Sequence, residues 1–369
     1  MKVKNIYTKI LIALLIYIIM AEVLIYYQPL QEDISFFKID SFSISENSYS
    51  KIKIKLNVTI NLPIDSKLQV VFLPLKNQPV DLPIFIYYDK TYPSATSEMS
   101  IQGLIDHLVA ILKLNSYKGS ITLVNASELS YIMQQFNKSV IIIPTGVLPE
   151  TVHNKTNSLV GKWLKSGGIM FWVGEGFLVY SGKKSKTLDW FSPETPGWES
   201  HEKEIGFQLV YGSPSIQNWL ANVTSPFSEA LDIQYSSVKF GAFVNSVYLH
   251  NGYVLGKIGG DNFDRASVVA VPIGLGWLIY FGGDIGVTRS HTGEDIIARD
   301  IAHIIFSCFI NSEKSEIEYL ILSTKIKESL KEEIQLEINN SSDIIGIQLF
   351  VFNKNLFYPI IYRTFIKVK

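Results

Sequence analysis

One cysteine in 369 residues, Cys308, excludes an intrachain disulfide. Set in an apolar stretch, it is expected to behave as a small buried hydrophobe. A surplus of either charge is also missing. Thirty-three Lys and Arg stand against 34 Asp and Glu, a net charge of -1, which leaves no electrostatic footprint for DNA or RNA. Metal-ligand spacing is absent too: His107, His153, His201, His250, His291 and His303 form no His-x-x-x-His pair, so neither a metal nor a cofactor is expected. Asp261, Asn262 and Asp264 sit in a Gly-rich loop but match no complete calcium loop, and they read as a turn. Gly-Lys-Ile-Gly-Gly at 256–260 lacks the terminal Lys-Ser/Thr of a phosphate loop and reads as a hairpin.

What is present is apolar and globular. Apolar residues make up 47% of the chain and charged ones 18%, a composition that folds, and the length calls for two or three domains. Residues 10–21 are an unbroken apolar run that resumes after Glu22 as residues 23–27, preceded by Lys2, Lys4 and Lys9. As a helix this run is about 27 Å long, enough to cross a bilayer when its flanks snorkel. Tyr26 and Tyr27 suit an interfacial belt, and the lysines on one side against Glu32 and Asp33 on the other place the N-terminus in the cytoplasm. A cleaved signal peptide is the competing reading. Ala13 and Ala21 are the only small residues near a cleavage point, so an uncleaved anchor is favoured, and both readings export the rest of the chain. Asn-X-Ser/Thr sites at Asn57, Asn125, Asn137, Asn154, Asn222, Asn339 and Asn340 agree with export. An exported chain without disulfides fits a prokaryotic, archaeal-type surface protein. The expected location is therefore the cell membrane, single-pass, with an extracellular ectodomain and with surface glycans or envelope proteins as partners.

Residues 51–60 alternate strictly, Ile52, Ile54, Leu56, Val58 and Ile60 against Lys51, Lys53, Lys55, Asn57 and Thr59, the mark of a half-buried antiparallel strand. Residues 34–40 and 68–75 read as strands beside it, and the same texture returns in 316–326, 331–338, 344–352 and 357–367. Between these flanks the pattern changes to continuous apolar strands (83–88, 120–124, 139–143, 169–173) alternating with helices (97–112, 127–136, 155–165), with Ser97 and Ser127 as N-caps. Repeated strand-helix-strand order implies right-handed crossovers and a doubly wound, mostly parallel sheet. The expected division is 1–28 cytoplasmic tail and anchor, 29–80 β-rich, 81–312 α/β, and 313–369 β. The two β flanks together supply about seven strands, the size of one immunoglobulin-like sandwich from whose loop the α/β domain projects.

Three segments of the middle region resemble a known family. Val140-Ile141-Ile142-Ile143-Pro144-Thr145-Gly146, the helix ending Gly161-Lys162-Trp163-Leu164-Lys165-Ser166-Gly167-Gly168, and Ile169-Met170-Phe171-Trp172-Val173-Gly174-Glu175-Gly176 are similar to the class I glutamine amidotransferase-like fold, in its ThuA-like and β-galactosidase-trimerisation branch. Residues 268–284 with the helix from 294 resemble that family's terminal hairpin, site loop and closing helix, and Ser225-Pro226-Phe227 echoes another of its loops. The resemblance implies a cysteine nucleophile in the tight turn after the fourth strand and a histidine base later. Here Glu175 holds the first place and Gly282-Gly283-Asp284 the second, so amide hydrolysis by that mechanism is not expected.

The candidate site residues follow from the edge where open α/β sheets bind ligands: Asp89, Thr145, Gly146, Glu175 and Asp284. Glu175 and Asp284 facing one cleft would divide acid and base roles as in glycan hydrolysis. Against that, Glu175 suits a helix N-terminus and Asp284 a loop-amide acceptor. Trp190 and Trp198 fall in a stretch, 189–198, that reads as a loop; if exposed they favour binding, whereas Trp163 and Trp172 fall on core segments. The leading expectation is a non-catalytic surface binding or assembly module, the alternatives being an extracytoplasmic glycan hydrolase or an auxiliary subunit of a transport complex.

Overall fold

The computed structural model describes residues 37–47, 51–60, 66–75, 81–154, 158–190, 211–212, 219–220, 241–258, 265–282, 293–308, 320–326, 330–339, 344–352 and 360–367. The anchor expected at residues 10–27 lies outside them. Among the described residues no helix is long and apolar enough to cross a membrane.

The two ends of the chain pair with each other. β2 (Lys51–Ile60) lies between β1 (Phe37–Asn47) and β18 (Leu330–Asn339), antiparallel to both, with Ile60 opposite Leu330 and Lys51 opposite Asn339. β3 (Ser66–Leu75) lies between β17 (Leu320–Ile326) and β19 (Ile344–Phe352), and β20 (Ile360–Lys367) completes that sheet. Each flanking sheet thus contains strands from both sides of the α/β region. β1 runs later than residues 34–40. Register shifts between Ile39 and Ser41 and between Ile44 and Glu46 break its alternation, which hides the strand from a period-two reading.

The inserted region is mixed α/β with a mostly parallel main sheet. Its parallel strands are β4 (Ile84–Tyr87), β5 (Ile121–Val124), β6 (Val140–Ile143), β8 (Ile169–Val173) and β16 (Gly276–Phe281), in the order β5-β4-β6-β8-β16. Beyond β16 the sheet turns antiparallel through β15 (Arg265–Ile273), which carries both β13 (Gly241–Phe243) and β14 (Tyr253–Ile258). The short strands β11 (Tyr211–Gly212) and β12 (Trp219–Leu220) pair with β13 and β14, and the short helix α4 (Val244–Leu249) lies between β13 and β14. Of the segment 256–260, Gly256 to Ile258 lie on β14, which is antiparallel to β15, and residues 259 and 260 lie outside the described residues.

Successive residues of each core strand point to opposite faces, and here both faces are covered, which is why the strands read as continuous apolar runs. Ile84, Ile86, Ile142, Phe171 and Val173 pack with α1 (Glu98–Leu114) and α5 (Gly293–Cys308) through Leu104, Leu108, Ile297 and Ile301. Phe85, Tyr87, Ile141, Ile143 and Trp172 pack on the other side with α2 (Ala126–Gln135) and α3 (Leu159–Lys165) through Leu129, Met133, Trp163 and Leu164. Trp163 and Trp172 are core, each stabilising by about 1.5–3 kcal/mol or more on burial. The Ser97 hydroxyl caps α1 by accepting from the Ser100 amide at 3.2 Å. For α2 the cap is Asn125, not Ser127. Asn125 Oδ1 accepts from the Ser127 and Glu128 amides, both at 3.0 Å, while Glu128 Oε2 accepts from the Asn125 amide at 2.8 Å, a reciprocal box that Ser127, inside the first turn, has no geometry to form.

The flanking strands and the α/β domain meet at the edge where the parallel strands begin. Arg363 on β20 donates to Asp81 at 2.7 Å, and the other Asp81 oxygen accepts from the Lys118 amide at 2.7 Å. The Ile361 amide donates to Asn115 Oδ1 at 2.6 Å, and the Arg363 guanidinium lies 5.3 Å from the Phe306 ring centroid. Asp81 lies three residues before the start of β4, and Asn115 lies between α1 and β5. The opposite edge, where the strands end, is therefore turned away from β20.

Candidate binding edge

At that far edge the chain leaves β6 and β8 through two glycines in the left-handed region, Gly146 (φ 65°) and Gly174 (φ 101°). A Cβ on Gly146 would lie 3.2 Å from both the Glu175 nitrogen and the Val173 oxygen, so the two loops touch backbone to backbone. Thr145 is buried, its hydroxyl donating to the Val147 carbonyl at 2.8 Å, and its own carbonyl accepts from the Ala95 amide at 3.0 Å. Thr145 and Gly146 thereby form the floor of the edge. The loop after β4 is thus tied to the loop after β6 beside the β4/β6 crevice, where sheets of this order take ligands.

Asp89 holds that loop in place. Its Oδ1 accepts from the Thr91 amide (2.9 Å) and hydroxyl (2.7 Å), and its Oδ2 accepts from the Ala126 amide at the start of α2 (3.1 Å). Burial pushes the Asp89 carboxyl up, but these hydrogen bonds and the Lys184 charge outweigh it and hold the group below the usual carboxylate range.

Glu175 is half-buried directly after β8, and its backbone carbonyl accepts from the Trp172 indole. The expected helix N-terminus is not there. Residues 175–179 turn instead, with the Val179 amide donating to the Gly176 carbonyl at 3.1 Å and Leu178 at φ 64°. The chain then enters a small second sheet that local pattern reading missed: β7 (Leu148–Pro149), β9 (Tyr180–Gly182) and β10 (Leu188–Trp190), in the order β10-β9-β7. Trp190 therefore ends a strand rather than lying in a loop, opposite Tyr180, and it is 63% exposed. Burial and then the Glu175 charge push the Tyr180 phenol up. At the hairpin tip Lys183 pairs with Asp189 at 2.9 Å.

The edge thus brings together Thr145, Gly146, Glu175, Tyr180 and Trp190, with Asp89 serving the loop beside them. Asp284, Trp198, residues 225–227 and residues 261–264 lie outside the described residues, so the carboxylate pair rests on Glu175 alone. Among the described residues no group of three His, Cys, Asp or Glu is placed to hold a metal ion. His303 is buried on α5, where burial and then the Arg299 charge push it down to about 3. Of the sequons, Asn125 and Asn137 are exposed, Asn57 and Asn154 half-buried, Asn339 ends β18, and Asn222 and Asn340 lie outside the described residues. Tyr180 was not anticipated from the sequence; its only signal is the Lys-Lys-Ser-Lys turn that follows it.

No protein-family model matches the chain, and no curated protein matches it. Solved structures align with the chain at low similarity. A β-galactosidase from Rahnella sp. R3 aligns with a TM-score of 0.41 and 10% identity over 70% of this chain and 41% of that one. A β-galactosidase from Bacillus circulans sp. alkalophilus aligns with a TM-score of 0.39 and 13% identity over 79% of this chain and 41% of that one. A cytoplasmic protein from Salmonella typhimurium LT2 aligns with a TM-score of 0.36 and 14% identity over 62% of this chain and 99% of its own. The chain spans about two fifths of the length of the β-galactosidases.

Proposed function

We propose that this chain is a membrane-anchored extracellular glycoprotein whose amidotransferase-like domain has lost amide chemistry and serves as a surface binding or assembly module. The anchor is residues 10–27, the N-terminus is cytoplasmic, and the partners are surface glycans or other envelope proteins. The observation that carries the reading is the turn after β8. Thiol chemistry of this fold needs a nucleophile there with backbone donors for the oxyanion. This chain places Glu175 in that turn, follows it with a hairpin instead of a helix, and ties the loop after β4 to the Thr145 carbonyl. What remains is a half-buried carboxylate in the turn and an exposed Trp190 ring on the hairpin that follows, a surface suited to holding rather than cleaving.

The test is a pull-down from native membranes with the tether intact, comparing the native chain with Trp190→Ala and Glu175→Gln. A binding module retains an envelope component that Trp190→Ala loses and Glu175→Gln does not process differently. Turnover of a glycan that stops in Glu175→Gln would instead establish the hydrolase.

A further inference from the structure

We infer that Asn125, alone among the sequons at Asn57, Asn125, Asn137 and Asn154, carries an N-linked glycan in the folded protein; this assigns the modification of the exported chain proposed above and rests on that reading. Attachment joins C1 of a sugar to the asparagine Nδ2, breaks the C1–O bond of a lipid-linked glycosyl phosphate donor, and passes the displaced Nδ2 proton to the phosphate that leaves. A sequon requires a hydroxyl two residues on because the transferring enzyme reads it, so Nδ2 and that hydroxyl must be open together.

Asn125 meets both conditions. It follows directly on β5 and is exposed, as is Ser127. Its Oδ1 accepts from the amides of Ser127 and Glu128, both at 3.0 Å, which fixes the side chain by the atom that does not react. The amide group is planar, so Nδ2 lies on the side away from those donors. Neither Nδ2 nor the Ser127 hydroxyl has a protein partner among the described residues. A glycosylated amide keeps its carbonyl oxygen, and the α2 cap survives the modification. The other three sequons each fail in a different way. Asn57 is half-buried in the middle of β2, opposite Ser41 on one side and Glu333 on the other, and Thr59 is half-buried with it. Asn137 is exposed, but Ser139 is buried and its hydroxyl donates to the Phe136 carbonyl at 3.2 Å. Asn154 is half-buried and its own Nδ2 donates to the Glu150 carbonyl at 3.1 Å.

The Ala126 amide, next along the chain, donates to Asp89 Oδ2, so the glycan stands on the β5 side of the binding edge. A bulky, solvated chain there keeps that rim from being buried against another protein and leaves the β8 side to an envelope partner.

The full-length protein is purified from its native membranes, as the native chain and as Ser127→Ala, and its peptides are weighed with and without chemical deglycosylation, while intact and lysed cells are labelled with a membrane-impermeant amine reagent. Ser127→Ala removes the sequon and keeps both amides that Asn125 accepts from, so its melting should stay within about 2 °C of the native chain. The expected result is sugar mass on the Asn125 peptide of the native chain, none there in Ser127→Ala, and bare peptides at Asn57, Asn137 and Asn154. Modification of any of those three to an extent equal to Asn125, or sugar retained at Asn125 in Ser127→Ala, would overturn the inference. A bare Asn125 in a chain labelled on intact cells would overturn it and leave the binding-module reading standing. A bare Asn125 in a chain labelled only after lysis would overturn both.

Discussion

Replacing Asp81 by Ala should loosen the seam between β20 and the α/β domain. The Asp81 side chain is 2% exposed and that of Arg363 17%, so removing the carboxylate leaves a guanidinium partly desolvated against the Phe306 ring. Breaking a buried pair from one side typically costs about 3–5 kcal/mol. The residual exposure of Arg363 lets water compensate in part, and the Lys118 amide, which loses its 2.7 Å acceptor, is on an exposed residue. The expected loss is therefore about 2–3 kcal/mol, or roughly 5–10 °C in the transition of a domain this size. Arg363→Met should cost less, and the double variant should be less destabilised than the sum of the singles, with a coupling of about 1.5–2.5 kcal/mol. Calorimetry of the four proteins gives the cycle. Amide exchange at Ile361, whose N–H donates to Asn115, reports the seam locally and should rise in Asp81→Ala before exchange in β6 or β8 changes. Equal stability of the native chain and Asp81→Ala within about 0.5 kcal/mol, with Ile361 equally protected, would refute the reasoning.

His303 is pushed down to about 3, so it stays neutral in the fold while the unfolded chain takes up a proton below about 6.5. Its contribution is whole above about pH 6.5 and declines as pH falls toward 3, by at most about 1.4 kcal/mol per unit, and His303→Leu should flatten that acid limb in urea titrations. Asn125→Ala should cost about 1 kcal/mol by removing the α2 cap, whereas Asn125→Asp keeps the acceptor and should cost a few tenths, though both abolish the sequon and any glycan mass seen there. Gly276→Ala drives a methyl into the carbonyl oxygens of Gly168 and Leu164, backbone atoms that have nowhere to go, and should destabilise by about 3 kcal/mol by denaturant midpoint.

The sequence carried the long regular elements well, because each buried strand must be apolar at every position and each amphipathic strand must alternate. β2 and β18 announce themselves through their alternating lysines and glutamates, and the pairing of the two chain ends follows from the poverty of either alone. What stayed hidden has local causes. β7, β9 and β10 are two or three residues long, below the length at which any period can be read. β1 is interrupted by two register shifts, and the α2 cap moved to Asn125 because a reciprocal bond with Glu128 outweighs a lone serine. At the site, Thr145, Gly146 and Glu175 were legible as strand-end residues, while the task of Asp89 was not, since nothing in Tyr-Asp-Lys-Thr reveals that Ala126 lies within reach.

The proposal as a whole depends on the far edge being displayed outside the cell, and one measurement addresses that directly. Ser185, exposed at the tip of the β9–β10 hairpin, is replaced by cysteine, and intact cells are treated with a membrane-impermeant maleimide, with the native chain as background for Cys308. Labelling of Ser185→Cys on intact cells, equal in extent to that after lysis, is the predicted result. Labelling that appears only after lysis would contradict it.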